Sequence, residues 1–416
     1  MANILSLNRN SLPIALLVIV AMFLGGCASE KPAAPQVKAA FWPPYPDEPH
    51  LQFLVSYRSS NDIVPPKSKL DELVMGKEND DSLDLNKPYG VAMYDGKIYV
   101  CDLRRNNITV LDLRKHLTLV LGQSGGETLV QPTGIAIAPD GTKYVTDIGR
   151  GLIFVFDRNE KLAGTMGHKD LKPAGVAVHQ NWVYVADFKG QCIEVYDRTT
   201  GEVVRKIGGP GTGPGKFVSP LGVAVDNNGF VYVSDVMTCK VQKFDPQGKV
   251  ITSFSDMSPT AGGLVRPKHI AVDADGTIYV VDAAFQNVQL FDQVGHVYTY
   301  FGSAGSHPGS MYLPAGICVH DGDLDLFAQY IHPAFEAQRL VVVTNQFGDN
   351  KVSVYALGHL KAGKTVADIA NTQGLVPTGT GENAKLRGGG VALPANAEVP
   401  APPAPAAPTT TPSANP

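Results

Sequence analysis

The chain has 416 residues, enough for one large hydrophobic core or two smaller ones, and 44% of them are hydrophobic and 18% charged. Its formal net charge of −4 gives no electrostatic reason to expect nucleic-acid binding. The 43 glycines and 31 prolines favour a protein rich in turns and strands over a helical one.

The N-terminal segment has the features of an export signal. Arg9 precedes an apolar run over residues 12–24, which is short for a membrane-spanning helix. The run ends in the sequence LGGC, which resembles the lipobox of bacterial lipoproteins, where cleavage precedes a cysteine that then carries lipid. We therefore expect residues 1–26 to be a signal peptide and Cys27 to anchor the chain in the membrane. By resemblance to a sorting rule of some Gram-negative bacteria, Ala28 suggests the outer membrane, facing either the periplasm or the cell surface.

The two ends of the mature chain differ in composition from its centre. Residues 27–47 are polar and contain proline and alanine, so a lipidated cysteine and a flexible tether are predicted there. Residues 361–416 are rich in proline and alanine and lack the apolar residues that a core needs, so a disordered or extended tail is predicted. The folded domain is expected to span residues 48–360.

Six segments of this domain align with one another. Each opens with proline two residues before a glycine or histidine, and each continues through an Asp/Asn/Gly-rich turn into a second strand such as IYVCD or VYVSD. A third strand and a fourth strand follow. The opening prolines lie 41–47 residues apart and are Pro88, Pro132, Pro173, Pro220, Pro267 and Pro314. A period in this range indicates a repeat architecture.

Each repeat reads as four short strands, and such a unit cannot bury both of its faces alone. Stacking the units around an axis buries them and leaves only short edges. The sequence therefore predicts an all-β fold, a six-bladed β-propeller. The sixth repeat lacks a convincing fourth strand, and HLQFLVSYRS, from His50, has the pattern of the fourth strand HVYTYFGS. We predict that Leu51–Tyr57 completes the last blade.

The proline openings, the IYVxD strands and third strands such as VQKFDPQGKV resemble NHL-repeat propellers over roughly residues 87–358. The Asn-x-Arg common after the aspartate in that family is mostly missing here. The LGGC motif, the N-terminal strand and TNQFGDNKVSVYALG resemble more specifically a set of exported bacterial NHL lipoproteins. This resemblance implies a protein of the bacterial cell envelope that associates with exported multihaem c-type cytochromes. The chain has no C-x-x-C-H, so it should not bind such haem itself.

Candidate metal-binding residues are interpreted as structural. Second strands end in aspartates, and so do third strands; repetition in every blade indicates turn-capping rather than a single site. The segment Asp321, Asp323, Asp325 begins like a calcium loop, but Leu326 and His332 replace its required glycine and glutamate. The cysteines Cys101, Cys192, Cys239 and Cys318 are expected to be isolated buried thiols, with Cys192 and Cys239 in the same place of neighbouring repeats. No metal and no cofactor is predicted.

His269 stands where the other five repeats have glycine, so we expect it to occupy the mouth of the axial channel as one side chain in a ring of glycines. A lyase or lactonase built on the channel would need several converging ligands, and a lone imidazole does not supply them. A sensor of a small ligand or glycan at the channel mouth is another alternative.

The loops that follow the second strands carry apolar and basic side chains. Aromatic and arginine residues are favoured anchors at protein interfaces, so these loops predict a partner-binding face, unless half of the side chains tuck between blades. The residues are Leu103, Arg104, Arg105, Ile148, Arg150, Phe188, Lys189, Met237, Phe285 and Phe347. The sequence thus favours a monomeric, non-catalytic scaffold or assembly factor for envelope proteins over an enzyme.

Overall fold

The computed structural model describes residues 36–64, 83–122, 128–371 and 375–377. The predicted signal peptide, Cys27 and most of the predicted tail lie outside these ranges. Three strands precede the first repeat, and these are β1 (Gln36–Lys38), β2 (Phe41–Trp42) and β3 (Leu51–Tyr57).

The six repeats form six antiparallel sheets that are arranged around one axis. The strands of blade 1 are β4 (Pro88–Tyr94), β5 (Lys97–Asp102), β6 (Asn107–Asp112) and β7 (Leu117–Leu121). Those of blade 2 are β8 (Pro132–Ile137), β9 (Lys143–Asp147), β10 (Leu152–Phe156) and β11 (Leu162–Met166). Those of blade 3 are β12 (Pro173–His179), β13 (Trp182–Asp187), β14 (Cys192–Asp197) and β15 (Val203–Gly208).

The remaining blades follow the same order from the inner to the outer strand. The strands of blade 4 are β16 (Pro220–Val225), β17 (Val231–Asp235), β18 (Lys240–Phe244) and β19 (Val250–Phe254). Those of blade 5 are β20 (Pro267–Val272), β21 (Ile278–Asp282), β22 (Asn287–Phe291) and β23 (Val297–Phe301). Blade 6 contains β24 (Pro314–His320), β25 (Phe335–Asn345) and β26 (Val352–Leu360), with a 3-10 helix over Leu324–Tyr330 between the first two strands.

Blade 6 is completed by the N-terminal segment, as predicted. Strand β3 spans Leu51–Tyr57 and pairs antiparallel with β26, with Ser56 opposite Ser353. The side chain of Gln52 is fully buried; its amide donates to the carbonyl of Tyr330 (2.7 Å) and accepts from the backbone N–H of His332 (2.9 Å). The closing strand is therefore held by β26 and by the segment between β24 and β25 that contains the 3-10 helix.

The predicted tether contributes a fifth strand to this blade, which the sequence analysis did not anticipate. Strand β2 pairs with β3 because its two aromatic side chains find partners in the core. The ring of Phe41 lies 5.7 Å from that of Phe335, and the ring of Trp42 lies 5.8 Å from that of Tyr355. After residue 360, where no regular structure was expected, the chain forms a short helix, α1 (Val366–Asn371), and a strand, β27 (Leu375–Pro377), which pairs with β1.

The hydrophobic core is divided into six clusters, one between each pair of adjacent blades. Alternation along the strands produces this division, since successive side chains point to opposite faces of a sheet. In β5, Ile98 and Val100 pack towards blade 6, whereas Tyr99 and Cys101 pack towards blade 2. The buried tyrosines of the second strands share this position and are Tyr99, Tyr144, Tyr184, Tyr232 and Tyr279.

The glycines of the proline openings permit close contact between inner strands. A Cβ at Gly90 would lie 2.7 Å from the carbonyl oxygen of Thr133 in the next blade, and one at Gly222 would lie 2.7 Å from that of Lys268. From the sequence, these glycines were expected to line the channel without contributing side chains to it. The structure shows a different reason for them, because the missing side chains would collide with the backbone of the neighbouring blade.

Gly222→Ala should destabilise the fold by about 1–3 kcal/mol, because the added methyl forces blades 4 and 5 apart. Chemical denaturation measures the change as a lower midpoint with an unchanged slope. Gly213→Ala is the matched control, since a Cβ there meets nothing within 4 Å. A Gly222→Ala midpoint equal to that of Gly213→Ala would mean that the inner strands are not in tight contact.

Candidate functional site

The aspartates at the ends of the second strands organise the loops of one face. The carboxylate of Asp102 accepts backbone N–H bonds from Asn86 (2.7 Å), Lys87 (3.1 Å), Arg104 (2.9 Å) and Arg105 (3.0 Å). The equivalent aspartates that bind loop amides in the same way are Asp147, Asp235 and Asp282. Their structural interpretation is confirmed for these four blades.

Blade 3 departs from this arrangement. Within the described part of the chain, the Asp187 carboxylate accepts a single hydrogen bond, from the backbone N–H of Lys172 (3.1 Å). In the strand ladder Asp187 lies opposite Cys192, whereas the equivalent Asp235 lies opposite Lys240. The expectation that Cys192 and Cys239 are equivalent is therefore wrong by one residue, since Cys239 precedes its strand in a left-handed turn position (φ 55°).

All four described cysteines are free thiols. Burial and the nearby carboxylates of Asp187 and Glu194 raise the pKa of Cys192 to about 11. Burial raises the pKa of Cys318 to about 12, against the opposing effect of a hydrogen bond with the backbone of Met93. At neutral pH both thiols are therefore protonated in the metal-free protein.

The acidic segment that begins like a calcium loop joins blades 6 and 1. The guanidinium of Arg114 contacts the Asp323 carboxylate and lies 3.1 Å from that of Asp325. Asp321 lies 3.4 Å from Arg339. Burial acts to raise the pKa of Asp323, but hydrogen bonds from the backbone N–H of Gly96 and from Arg114 hold it below its usual value.

The ten residues from Leu103 to Phe347 that were predicted to bind a partner lie on the loops at one end of the propeller, and we call them the loop face. None of the ten is buried. Phe188, Met237 and Phe347 are the most exposed apolar members, at 39%, 65% and 46%. Tyr312, outside the predicted set, extends this apolar surface because its ring lies 6.0 Å from that of Phe347.

The cations of the loop face divide into two kinds. The Nε of Arg105 donates to the carbonyl of Asp84 (2.6 Å), and that of Arg150 donates to the carbonyl of Thr128 (2.9 Å), so these guanidinium groups fasten the segments between blades. Arg104 is exposed and makes no side-chain bond among the described residues. Lys189 is 63% exposed and lies 3.7 Å from the equally exposed Asp170. Arg104 and Lys189 are therefore the two cations of the loop face whose side chains do not hold a neighbouring loop and could contact a partner.

The structure places His269 on the axis of the propeller. Its ring lies 5.2 Å from the ring of Tyr89, although Tyr89 belongs to blade 1, His269 belongs to blade 5 and blade 6 separates them. The side chain is 9% exposed. It therefore fills the channel against an aromatic neighbour.

Lys268 is a channel residue that the sequence analysis missed. Its side chain is buried, and its Nζ lies over the ring of Tyr89, 5.5 Å from the centroid. No hydrogen-bond acceptor for this amine occurs among the described residues. Burial, together with the charges of Arg266 and Lys87, lowers the pKa of Lys268 to about 7. Burial and Lys268 lower the pKa of His269 to about 4, so its imidazole is neutral at pH 7.

Hydroxyl groups in alternate blades tie the channel walls together. The side chains of Thr146, Ser234 and Thr344 each donate to a backbone carbonyl at the proline opening of the next blade. The acceptors are the carbonyls of Ala174, Lys268 and Tyr89. The backbone around Lys268 and Tyr89 is thereby fixed, so the channel residues are held by the scaffold.

Comparisons with known proteins agree with this architecture. The family DUF5128, described as a 6-bladed beta-propeller, matches residues 171–256. No curated protein matches the chain. A structural genomics protein of unknown function from Bacteroides thetaiotaomicron is similar in structure, with a TM-score of 0.50 and 17% identity, over 66% of this chain and 70% of that one.

Two enzymes are also among the similar structures. Virginiamycin B lyase from Staphylococcus aureus has a TM-score of 0.46 and 14% identity, and the match covers 65% of this chain and 95% of the lyase. A gluconolactonase from Xanthomonas campestris has a TM-score of 0.47 and 14% identity, over 78% of this chain and 99% of that one. At these scores and identities, neither likeness carries an argument about this chain. The protein is a six-bladed β-propeller.

No helix within the described ranges is long and apolar enough to cross a membrane.

Proposed function

We propose that this propeller is a non-catalytic binding protein of the bacterial cell envelope, anchored through lipid on Cys27, that holds an exported protein on its loop face. The observation that carries the proposal is the exposure of apolar and cationic side chains on the loop face, where buried aspartates bind the loop amides in blades 1, 2, 4 and 5. Rigid loops bind without the entropy cost of ordering them.

The chemistry of the loop face favours an acidic partner with apolar residues at its contact surface. Phe188, Met237 and Phe347 supply exposed apolar area, and Arg104 and Lys189 supply exposed positive charge. Opposite charges on the two surfaces accelerate association and fix its orientation. By its resemblance to exported NHL lipoproteins, the chain would serve multihaem c-type cytochromes of the outer membrane or periplasm.

Reversing charge on the loop face should release this partner. In a chain with Arg104→Glu and Lys189→Glu, the proteins that co-purify with the tagged wild type from envelope extracts should fall at least tenfold, because attraction becomes repulsion. Arg105 and Arg150 are left unchanged, since their side chains hold loops. Retention by the wild type should also weaken as salt rises, because exposed charges are screened.

The matched control reverses two exposed lysines at the opposite end of the propeller, Lys161→Glu and Lys249→Glu. This variant carries the same change in net charge and should keep the partner. Equal recovery of the same proteins by both variants, or no protein recovered above background by the wild type, would exclude a partner-binding role for the loop face.

A further inference from the structure

Blade 3 carries a cluster of ligating side chains that the other described blades lack. Asp187, Cys192 and Glu194 are all buried, and each offers a ligand atom within 4.8 Å of the others. The strand geometry produces this cluster. Cys192 and Glu194 are two residues apart on β14 and so point to the same face, and Asp187 lies directly opposite Cys192 on β13.

A histidine from the neighbouring segment contacts the Glu194 side of this cluster. His168 follows β11, on the segment that joins blade 2 to blade 3, and its Nε2 lies 3.1 Å from an Oε of Glu194. Equivalent positions in blades 4 and 5 hold Gln242 and Gln289, whose amides bind backbone groups of the preceding segment. Where blades 4 and 5 have a glutamine amide bonded to the backbone, blade 3 has the Glu194 carboxylate bonded to the His168 imidazole.

Two members of the cluster lack partners of their own. Among the described residues, Asp187 Oδ2 accepts no hydrogen bond, although the residue is only 3% exposed, and Cys192 Sγ makes none at 5% exposure. Both atoms point towards Gly190, where a Cβ would meet them. Gly190 is exposed, so the cluster lies directly beneath the surface and an ion has a short path to it. The Asp187 carboxylate is almost removed from solvent and accepts one hydrogen bond, so a cation beside it would offset the cost of its desolvation.

The amine of Lys206 now lies beside the cluster, where it supplies a positive charge to Glu194. Its Nζ lies 2.7 Å from a Glu194 oxygen, and Tyr196 donates to the other oxygen at 2.6 Å. The lysine side chain is 56% exposed, so its amine can turn into solvent when an ion enters. Lys206 neutralises Glu194 and leaves Asp187 unpaired.

We propose that Asp187, Cys192, Glu194 and His168 form a binding site for a divalent metal ion that accepts sulfur, nitrogen and oxygen ligands, such as Zn²⁺. Four ligands of this mixture suit tetrahedral zinc, and the half-exposed side chain of His168 would have to turn towards the other three when an ion binds. Binding converts the Cys192 thiol to a thiolate and releases its proton to the solvent. The site is independent of the proposed partner, but the ion would hold the loop that carries Phe188 and Lys189.

The test uses Co²⁺ as a spectroscopic probe on the purified, chelator-treated full chain. One equivalent of Co²⁺ should produce visible bands of a tetrahedral ion and a near-ultraviolet band of a cobalt–thiolate bond, and Zn²⁺ should displace both. Cys192→Ser should abolish the thiolate band, whereas Cys239→Ser, which changes a buried thiol outside the cluster, should keep it.

Two further variants keep the test decisive if Cys192→Ser does not fold. Asp187→Asn retains an acceptor for Lys172 and should weaken Co²⁺ binding at least tenfold. Lys206→Met removes the competing amine and should strengthen it, a direction that loss of structure would not produce. Absence of a thiolate band in the wild type, its persistence in Cys192→Ser, or weaker binding in Lys206→Met would overturn the proposal.

Discussion

A chain that begins at Arg58 should lose cooperative folding, because it lacks the strand that closes the ring. Leu51, Leu54, Val55 and Tyr57 are all buried between blade 6 and its neighbours. Burial of each such side chain contributes about 1.5–3 kcal/mol. Their sum is comparable with the whole stability of a typical domain, about 5–15 kcal/mol. Without β3, the long strand β26 also becomes an open edge.

The measurement is denaturant unfolding followed by near-ultraviolet circular dichroism, with size-exclusion chromatography to detect aggregation. A chain that begins at Ala39 keeps β2 and β3 and is the control; its unfolding midpoint should match that of the full chain. Adding a peptide of residues 39–57 to the shorter chain should restore a cooperative transition. A wild-type midpoint in the chain that begins at Arg58 would show that the propeller closes without this strand.

The closure could be predicted because β3 carries the alternating pattern of a fourth strand. Strand β2 could not, because two residues have no periodicity and their pairing depends on aromatic contacts with distant parts of the chain. The glycines were found, but their role was not, since their close neighbours belong to another blade. Sequence shows that a side chain is missing and does not show what it would meet.

The cluster in blade 3 and the channel residue Lys268 were harder to predict. The cluster depends on the register of paired strands, which the repeats in the sequence do not fix. Placing Cys192 with Cys239 hid the pairing of Cys192 with Asp187. A usable signal was present in β14, where Glu194 occupies a position that is a buried glutamine in the next two blades. Lys268 was passed over because the residue between proline and glycine varies among repeats. Only the structure shows that this lysine turns into the channel.

Lys268→Met should make the protein more stable near neutral pH, since burial of the Lys268 side chain disfavours its charged form. The folded-state pKa of Lys268 is about 7, below the 10.5 of an unfolded chain. Between these values the unfolded state binds a proton that the folded state does not, so the stability of the wild type rises with pH. The destabilisation is complete below pH 7 and disappears as the pH approaches 10.5. At about 1.4 kcal/mol per pKa unit, it amounts to several kcal/mol.

The decisive quantity is the difference in unfolding free energy between Lys268→Met and wild type, measured from pH 6.5 to 9.5. It should be large at pH 6.5 and shrink steadily as the pH rises, because Lys268 is the group in this range whose titration the substitution removes. His269 titrates in a lower window, about pH 4 to 6.5, and is avoided. Lys249→Met, at an exposed position, should show no such trend.

A difference that is constant with pH would mean that the Lys268 amine stays charged in the folded protein. A difference with the predicted slope would mean that the channel retains a neutral amine at the expense of stability, as functional sites commonly do.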